Sequence, residues 1–244
     1  AYAANRQGDS LSSFTIGADG GLQPGAPASV LAQDGPASVV VTRGLAPVTA
    51  VPRYLYLPDN FVVSQFTIDG SGTLARLDPQ FVVTGSGPWA VAAHPNGRFL
   101  YSTNRNDDTV SQLAITATGT LDPLMPATAA TGVFPTDAVV LPNGRFLYVA
   151  NFLSGSVQIY GIGADGTLTN GLGPSVGTNI RDLVLHPSGQ FGYLRTTPGI
   201  FQYSILPGNG NMVALSPALV PGTANLGTMT IEPGGAWAYV MRDD

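Results

Sequence analysis

The side chains able to do chemistry are few enough to take one at a time. The 244 residues hold ten arginines, no lysine and a single glutamate, Glu232. Arginine presents a planar fork of donors that fits a carboxylate or a phosphate. An aspartate beside such a clamp can take the proton of a water attacking a carbonyl carbon. Asp137 and Asp182 are the catalytic candidates on this ground, and Arg181, Arg105 and Arg195 are the substrate-binding ones. Trp89 joins the binding set, because it occupies the same place in its repeat as Arg181 does.

Other chemistries fall away on composition. The absence of cysteine removes disulfides, thiolate nucleophiles, iron–sulfur clusters and zinc ribbons. The absence of lysine removes Schiff-base chemistry and a Walker-type phosphate loop. Leu153-Ser-Gly-Ser-Val157 is not a nucleophile elbow. His94 and His186, the two histidines, both sit in a His-Pro-x-Gly turn, where Leu141 and Glu232 stand in other copies, so a turn-capping role is expected. No cofactor is expected. Calcium is the one ion that Asp107-Asp108 and Asp243-Asp244 could suit, with backbone carbonyls completing a shell.

The elements that position these residues follow from a repeat. Asn96-Gly-Arg-Phe-Leu-Tyr101 recurs as Asn143-Gly-Arg-Phe-Leu-Tyr148, and Gly72-Thr-Leu74, Gly119-Thr-Leu121 and Gly166-Thr-Leu168 keep the same spacing. Tyr2-Ala-Ala-Asn5 starts the series, and His186 to Phe191 and Glu232 to Trp237 are weaker copies near its end. Each copy reads as four short strands separated by Pro-x-Gly and Asp-Gly turns, in which glycine or asparagine takes positive φ without strain. Glycine and proline together supply about a fifth of the chain, and 44% of it is hydrophobic. Four antiparallel strands every 45 to 47 residues predict an all-β fold, a β-propeller. The blade segments fall near 1–36, 37–87, 88–134, 135–179, 180–224 and 225–244 of one propeller domain. The first copy opens on a second strand and the last stops after one. This predicts five to six blades in a piece of a seven-bladed ring of roughly 320 residues.

Topology then sorts the loops. Those joining second to third strands, and fourth to the next first strand, share one face around the axis. Asn5 to Asp9, Asp59-Asn60, Asn104 to Asp108, Asp137, Arg181-Asp182, Arg195 and Arg242 to Asp244 are assigned to that face. Arg105, Arg195 and Arg242 are expected at equivalent places after second strands. The competing reading is that these Arg and Asp side chains pair between neighbouring blades and hold the loops.

The run Pro-Asn-Gly-Arg-Phe-Leu-Tyr-x-x-Asn, then Ser156-Val-Gln-Ile-Tyr160 and Ala164-Asp-Gly-Thr-Leu168, resembles the blade of the lactonase-type seven-bladed β-propellers. That family includes a class of 6-phosphogluconolactonase and fungal muconate-lactonizing enzymes. The resemblance implies that the axial face binds, and hydrolyses, a small anionic or lactone substrate. It also implies a histidine near the axis, but Trp89, Thr136 and Arg181 stand at the first-strand starts. The alternative is a non-catalytic extracellular binding or assembly module. A small molecule or a protein is the expected partner. A net charge of −5 argues against nucleic acid, and no apolar run is long enough to span a membrane. Sparse charge and Ala/Thr/Gly/Ser richness resemble exported bacterial proteins, which predicts an extracellular or periplasmic location.

Overall fold

The computed structural model describes residues 2–5, 9–16, 22–31, 40–42, 53–171, 173–177, 179–222 and 226–242. Every regular element among them is a β-strand. The chain divides into two compact units, Ala1–Ala129 and Ala130–Asp244.

In the first unit β1 (Tyr2–Asn5), β2 (Ser10–Ile16) and β3 (Leu22–Leu31) form a three-stranded sheet. A four-stranded sheet follows, of β4 (Val40–Thr42), β5 (Tyr54–Asp59), β6 (Val62–Ile68) and β7 (Leu74–Val83). The next comprises β8 (Pro88–Ala93), β9 (Phe99–Asn104), β10 (Thr109–Ile115) and β11 (Leu121–Ala130). The second unit contains β12 (Pro135–Val140), β13 (Phe146–Asn151), β14 (Ser156–Ile162) and β15 (Leu168–Asn170). After them come β16 (Ile180–Leu185), β17 (Phe191–Thr196), β18 (Gly199–Ile205) and β19 (Met212–Pro221), then the pair β20 (Leu226–Ile231) and β21 (Ala238–Arg242). Each sheet is an antiparallel meander in chain order, which is the β-propeller blade the repeat predicts. β8, β12 and β16 begin at Pro88, Pro135 and Ile180. The blade start expected at 37 lies outside the described residues.

Burial explains the sequence pattern. The second strands β5, β9 and β13 are buried at every position, so Leu55-Tyr-Leu57 and Phe146-Leu-Tyr-Val-Ala150 are apolar on both faces. The outer strands β7 and β11 are mostly exposed. Buried tyrosines tie one blade to the next. The Tyr56 hydroxyl donates to the Gly119 carbonyl and that of Tyr148 to the Gly210 carbonyl, both at 2.7 Å. Tyr239 of β21 is not enclosed in this way: it is 58% exposed, as are the nearby Trp237 and Met241. Third strands grip outer ones through glutamine. The side-chain amides of Gln65, Gln112 and Gln202 donate to the carbonyls of Pro79, Pro126 and Pro217, each of which follows a cis peptide bond.

Gly119 has φ +87, and a Cβ there would collide with the Tyr54 ring of the preceding blade. Gly70 faces open space. Gly119→Ala should therefore cost about 2–4 kcal/mol, from a left-handed backbone and an overpacked contact. Gly70→Ala should leave the urea midpoint nearly unchanged. Equal midpoints for the two variants would show that the Gly119 hairpin is not a packing socket.

Candidate functional site

The inner strands β8, β12 and β16 supply the site, and each of these three carries a β-bulge. Register slips between Pro88 and Val91 in β8, Pro135 and Asp137 in β12, and Ile180 and Asp182 in β16. Trp89, Thr136 and Arg181 are the residues placed in these slips. An extra residue bends the strand and re-aims its side chains, which is how bulges serve the rims of sites.

In the second unit the bulges set up two aspartates in the same way. Asp137 accepts the Ala138 N–H at 2.8 Å and reaches β16, where the Leu183 N–H donates to it at 2.9 Å. Asp182 repeats the reach one blade on, accepting the Met229 N–H of β20 at 2.8 Å. The same Asp182 oxygen accepts from Arg195 Nε at 3.2 Å, in an ion pair across β16 and β17. Asp137 is half-buried, and desolvation of its carboxyl is the main cause pushing its pKa up to about 7. The Leu183 amide pulls against the shift, the Asp182 charge adds to it, and the Arg195 charge opposes it. Arg181 is exposed and lies 5.3 Å from the centre of the Phe152 ring. Phe134, whose ring centre is 6.1 Å from that of Phe152, holds φ +59, uncommon for a bulky residue.

In the first unit Trp89 and Arg105 meet. The Arg105 guanidinium stacks 4.0 Å above the centre of the Trp89 ring. They line a pocket of about 290 Å³ with Asn60, Phe61, Gly87, Pro88 and Asn106. Its walls come from the second-to-third loops of two blades and from the loop leading into β8, so it opens on the expected face. Gly87 has φ +66, and a Cβ on it would stand 2.6 Å from Asn106 Nδ2. The missing side chain of Gly87 is what lets Asn106 and the stem of Arg105 come this close to its backbone.

The family model of the lactonases with seven-bladed β-propellers matches residues 59–194, more than half of the chain. The chain belongs to this family. No curated protein matches it in sequence. Among solved structures, a candidate 6-phosphogluconolactonase of Bacteroides fragilis is 22% identical with a TM-score of 0.75. That likeness covers 88% of this chain, which spans 65% of the length of the Bacteroides protein. The periplasmic gluconolactonase of Pseudomonas aeruginosa is 18% identical, at a TM-score of 0.69, with 95% of this chain and 69% of that one covered. At these identities the likeness is one of fold.

For a lactonase-family chain, several sequence expectations need correcting. Arg195 does not follow its strand as Arg105 does. It lies within β17, opposite Asp182, and is buried. The place opposite Asp137 is taken by Ala150, so only Asp182 gains an arginine. Asn104 and Asp59 are not loop residues but buried strand ends. Asn104 donates to Thr109 and Ser111, and Asp59 accepts from Ser64. Asn5 holds Ser10 and Ser12 in the same manner. Asp107 accepts the Ser86 N–H at 2.6 Å. Arg6, Asp243, Asp244 and the Arg242 side chain lie outside the described residues. Among the described residues no cluster of three His, Asp or Glu gathers around a common point.

The histidines cap turns. His94 Nδ1 accepts the Asn96 N–H, and His186 Nδ1 the Ser188 N–H, both at 3.1 Å. Phe134 and Phe152 escaped sequence reasoning, because a phenylalanine in a repeat of apolar strands carries no mark of its loop position. A larger cavity, about 450 Å³, lies in the second unit beside Leu141, Ser188, Phe191 and Pro207, on the opposite, hairpin face.

The pKa of Asp137 gives a signed prediction. Its folded value of about 7 exceeds the unfolded 3.8, so the neutral form is favoured in the fold. The stability this provides is complete below about pH 4 and is lost as pH rises through 7. Asp137→Asn should remove that decline from urea midpoints measured between these values. An identical pH profile in wild type and variant would show a solvated carboxylate.

Proposed function

We propose that this lactonase-family propeller binds a small anionic or lactone-bearing molecule on the face where second-to-third and fourth-to-first loops emerge. The observation that carries this reading is the pocket in which the Arg105 guanidinium lies 4.0 Å from the centre of the Trp89 ring. A guanidinium held against an indole has already lost much of its rotamer freedom before it meets a carboxylate. The Asn60 and Asn106 side chains offer donors and acceptors for the hydroxyl groups of a sugar acid. An extracellular or periplasmic setting agrees with the composition and with the location given in the name of the Pseudomonas relative.

Hydrolysis of the lactone is a second reading, favoured by Asp137. A carboxylate with a pKa of about 7 is suited to general-base work at neutral pH. Water would add to the ring carbonyl while Asp137 takes its proton. The ring C–O bond then breaks, and the departing alkoxide recovers that proton to give the open hydroxy acid. Against this reading, both Asp137 oxygens already accept backbone amides, and Asp182 is engaged by Arg195 and Met229. Binding without turnover is therefore the primary reading.

Trp89 provides the readout. Trp237 is the other tryptophan, and Trp237→Phe isolates the signal. Titration with D-gluconate should change Trp89 emission to saturation, and Arg105→Met should weaken binding about tenfold or more. A flat titration by both fluorescence and calorimetry would refute the binding reading. Turnover of glucono-1,5-lactone above the spontaneous rate, abolished by Asp137→Asn, would establish the second.

A further inference from the structure

We propose that the cleft on the hairpin face of the second unit is a second binding site, and that it takes the ring of a neutral sugar. It is separate from the Arg105 pocket and does not rest on the reading of that pocket.

The repeat departs from itself at two points, and both border this cleft. The first is the length of an outer hairpin. Ile68 to Gly72, Ile115 to Gly119 and Ile162 to Gly166 share one spacing, from the end of a third strand to a turn glycine of positive φ. Ile205 to Gly210 is one residue longer. The Gly72, Gly119 and Gly166 N–H groups donate to the carbonyls of Asp69, Thr116 and Gly163, whereas that of Gly210 reaches back to Leu206. Pro207 stands in this lengthened turn. Insertions in a repeat collect in loops, often on a binding face.

The second departure is a lost charge. The backbone carbonyls of Arg53, Arg98 and Arg145 accept the N–H of the isoleucine ending the third strand, and Gln190 takes that place for Ile205. Arg98 and Arg145 hold their guanidiniums 5.7 and 5.4 Å from the ring centres of Phe99 and Phe146. Gln190, before Phe191, brings an uncharged amide instead.

The cleft, of about 450 Å³, lies within the roughly 300–1,000 Å³ of ligand sites. Leu141 and Ile205 give it a buried apolar floor, while Asn143, Ser188, Gln190 and Pro207 are exposed at its rim. None of the described residues lining it is charged. Arg145 turns away to donate to the Pro207 and Gly208 carbonyls, both at 3.3 Å. Asn143 Oδ1 accepts the Arg145 N–H at 2.9 Å, and its amide NH2 has no partner among the described residues. The Gln190 side-chain amide has none either. A pyranose would lay a C–H face on the floor and offer these amides hydroxyls that both donate and accept. An anion would enter with no counter-charge and be penalised.

The test uses the whole chain, isotopically labelled for NMR and titrated with methyl β-D-glucopyranoside. The side-chain NH2 signals of Asn143 and Gln190 should shift to saturation, along with the backbone signals of Ser188 to Phe191. Gln190→Arg restores the residue of the other blades. Asn143→Asp keeps the oxygen that accepts the Arg145 N–H and removes the donor. Each should weaken binding about tenfold or more and leave the urea midpoint near that of the parent. If methyl glucoside, galactoside and mannoside all leave these signals in place, the inference is overturned. Both variants binding as the parent does would overturn it too. D-gluconate shifting the same signals with equal affinity overturns the selection for a neutral ring.

Discussion

Three second strands, β5, β9 and β13, are buried along their whole length, and that single condition shapes most of what surrounds them. A strand enclosed on both faces can leave no polar group unmatched without a cost of about 1–3 kcal/mol each. The tyrosines accordingly extend through the apolar layer until their hydroxyls reach a carbonyl of the next blade. The polar strand ends act at shorter range: the Asn104 amide donates to the Thr109 and Ser111 hydroxyls, and Asp59 accepts from the Ser64 hydroxyl. Glutamines on third strands extend the scheme outward, closing the carbonyls at outer-strand prolines.

The same requirement acts on the inner strands, with a different result. Their first residues meet a bulge, which takes an amide out of the ladder and turns a side chain along the strand ends. In the second unit Asp137 and Asp182 supply the missing partner by accepting an amide of the next inner strand. That is a structural use of a residue type that could equally serve as a base. The ion pair between Asp182 and Arg195 strengthens the structural side for that blade. Asp137 has no facing arginine in its own blade and is left with a carboxyl that prefers to be neutral in the fold. One bulge geometry, repeated, yields two chemically distinct carboxylates because the opposing residue is alanine in one blade and arginine in the next.

How much of this was readable depended on whether a feature repeats. The Asn-Gly-Arg-Phe-Leu-Tyr runs and the Gly-Thr-Leu turns recur because each blade needs them, and they point to the four-stranded antiparallel blades that the structure contains. Histidine caps were readable for the same reason, since Leu141 and Glu232 stand in their place elsewhere. Bulges were not. They add a residue inside a strand without any change of pattern, and Arg195 lies within β17, opposite the bulged stretch of β16, not in the loop that follows. Trp89 and Arg105 were each chosen as candidates, but their stacking depends on a fold of the chain at Gly87 that spacing does not encode.

The comparison of Arg105 with Arg195 shows why residue type alone underdetermined the site. Both guanidiniums sit near blade ends, and both could clamp an anion. Arg195 is drawn into the sheet by the carboxylate across from it, and its charge is already matched. Arg105 has an indole beside it, which supports a cation through its π face. A cation–π contact of this kind contributes about 0.5–2 kcal/mol. It holds the guanidinium beside the second-to-third loop of its own blade, at the rim of the pocket. The two arginines therefore differ in what positions them, a carboxylate across a strand pair for one and an aromatic ring next to a bulge for the other, and residue type alone does not encode that difference.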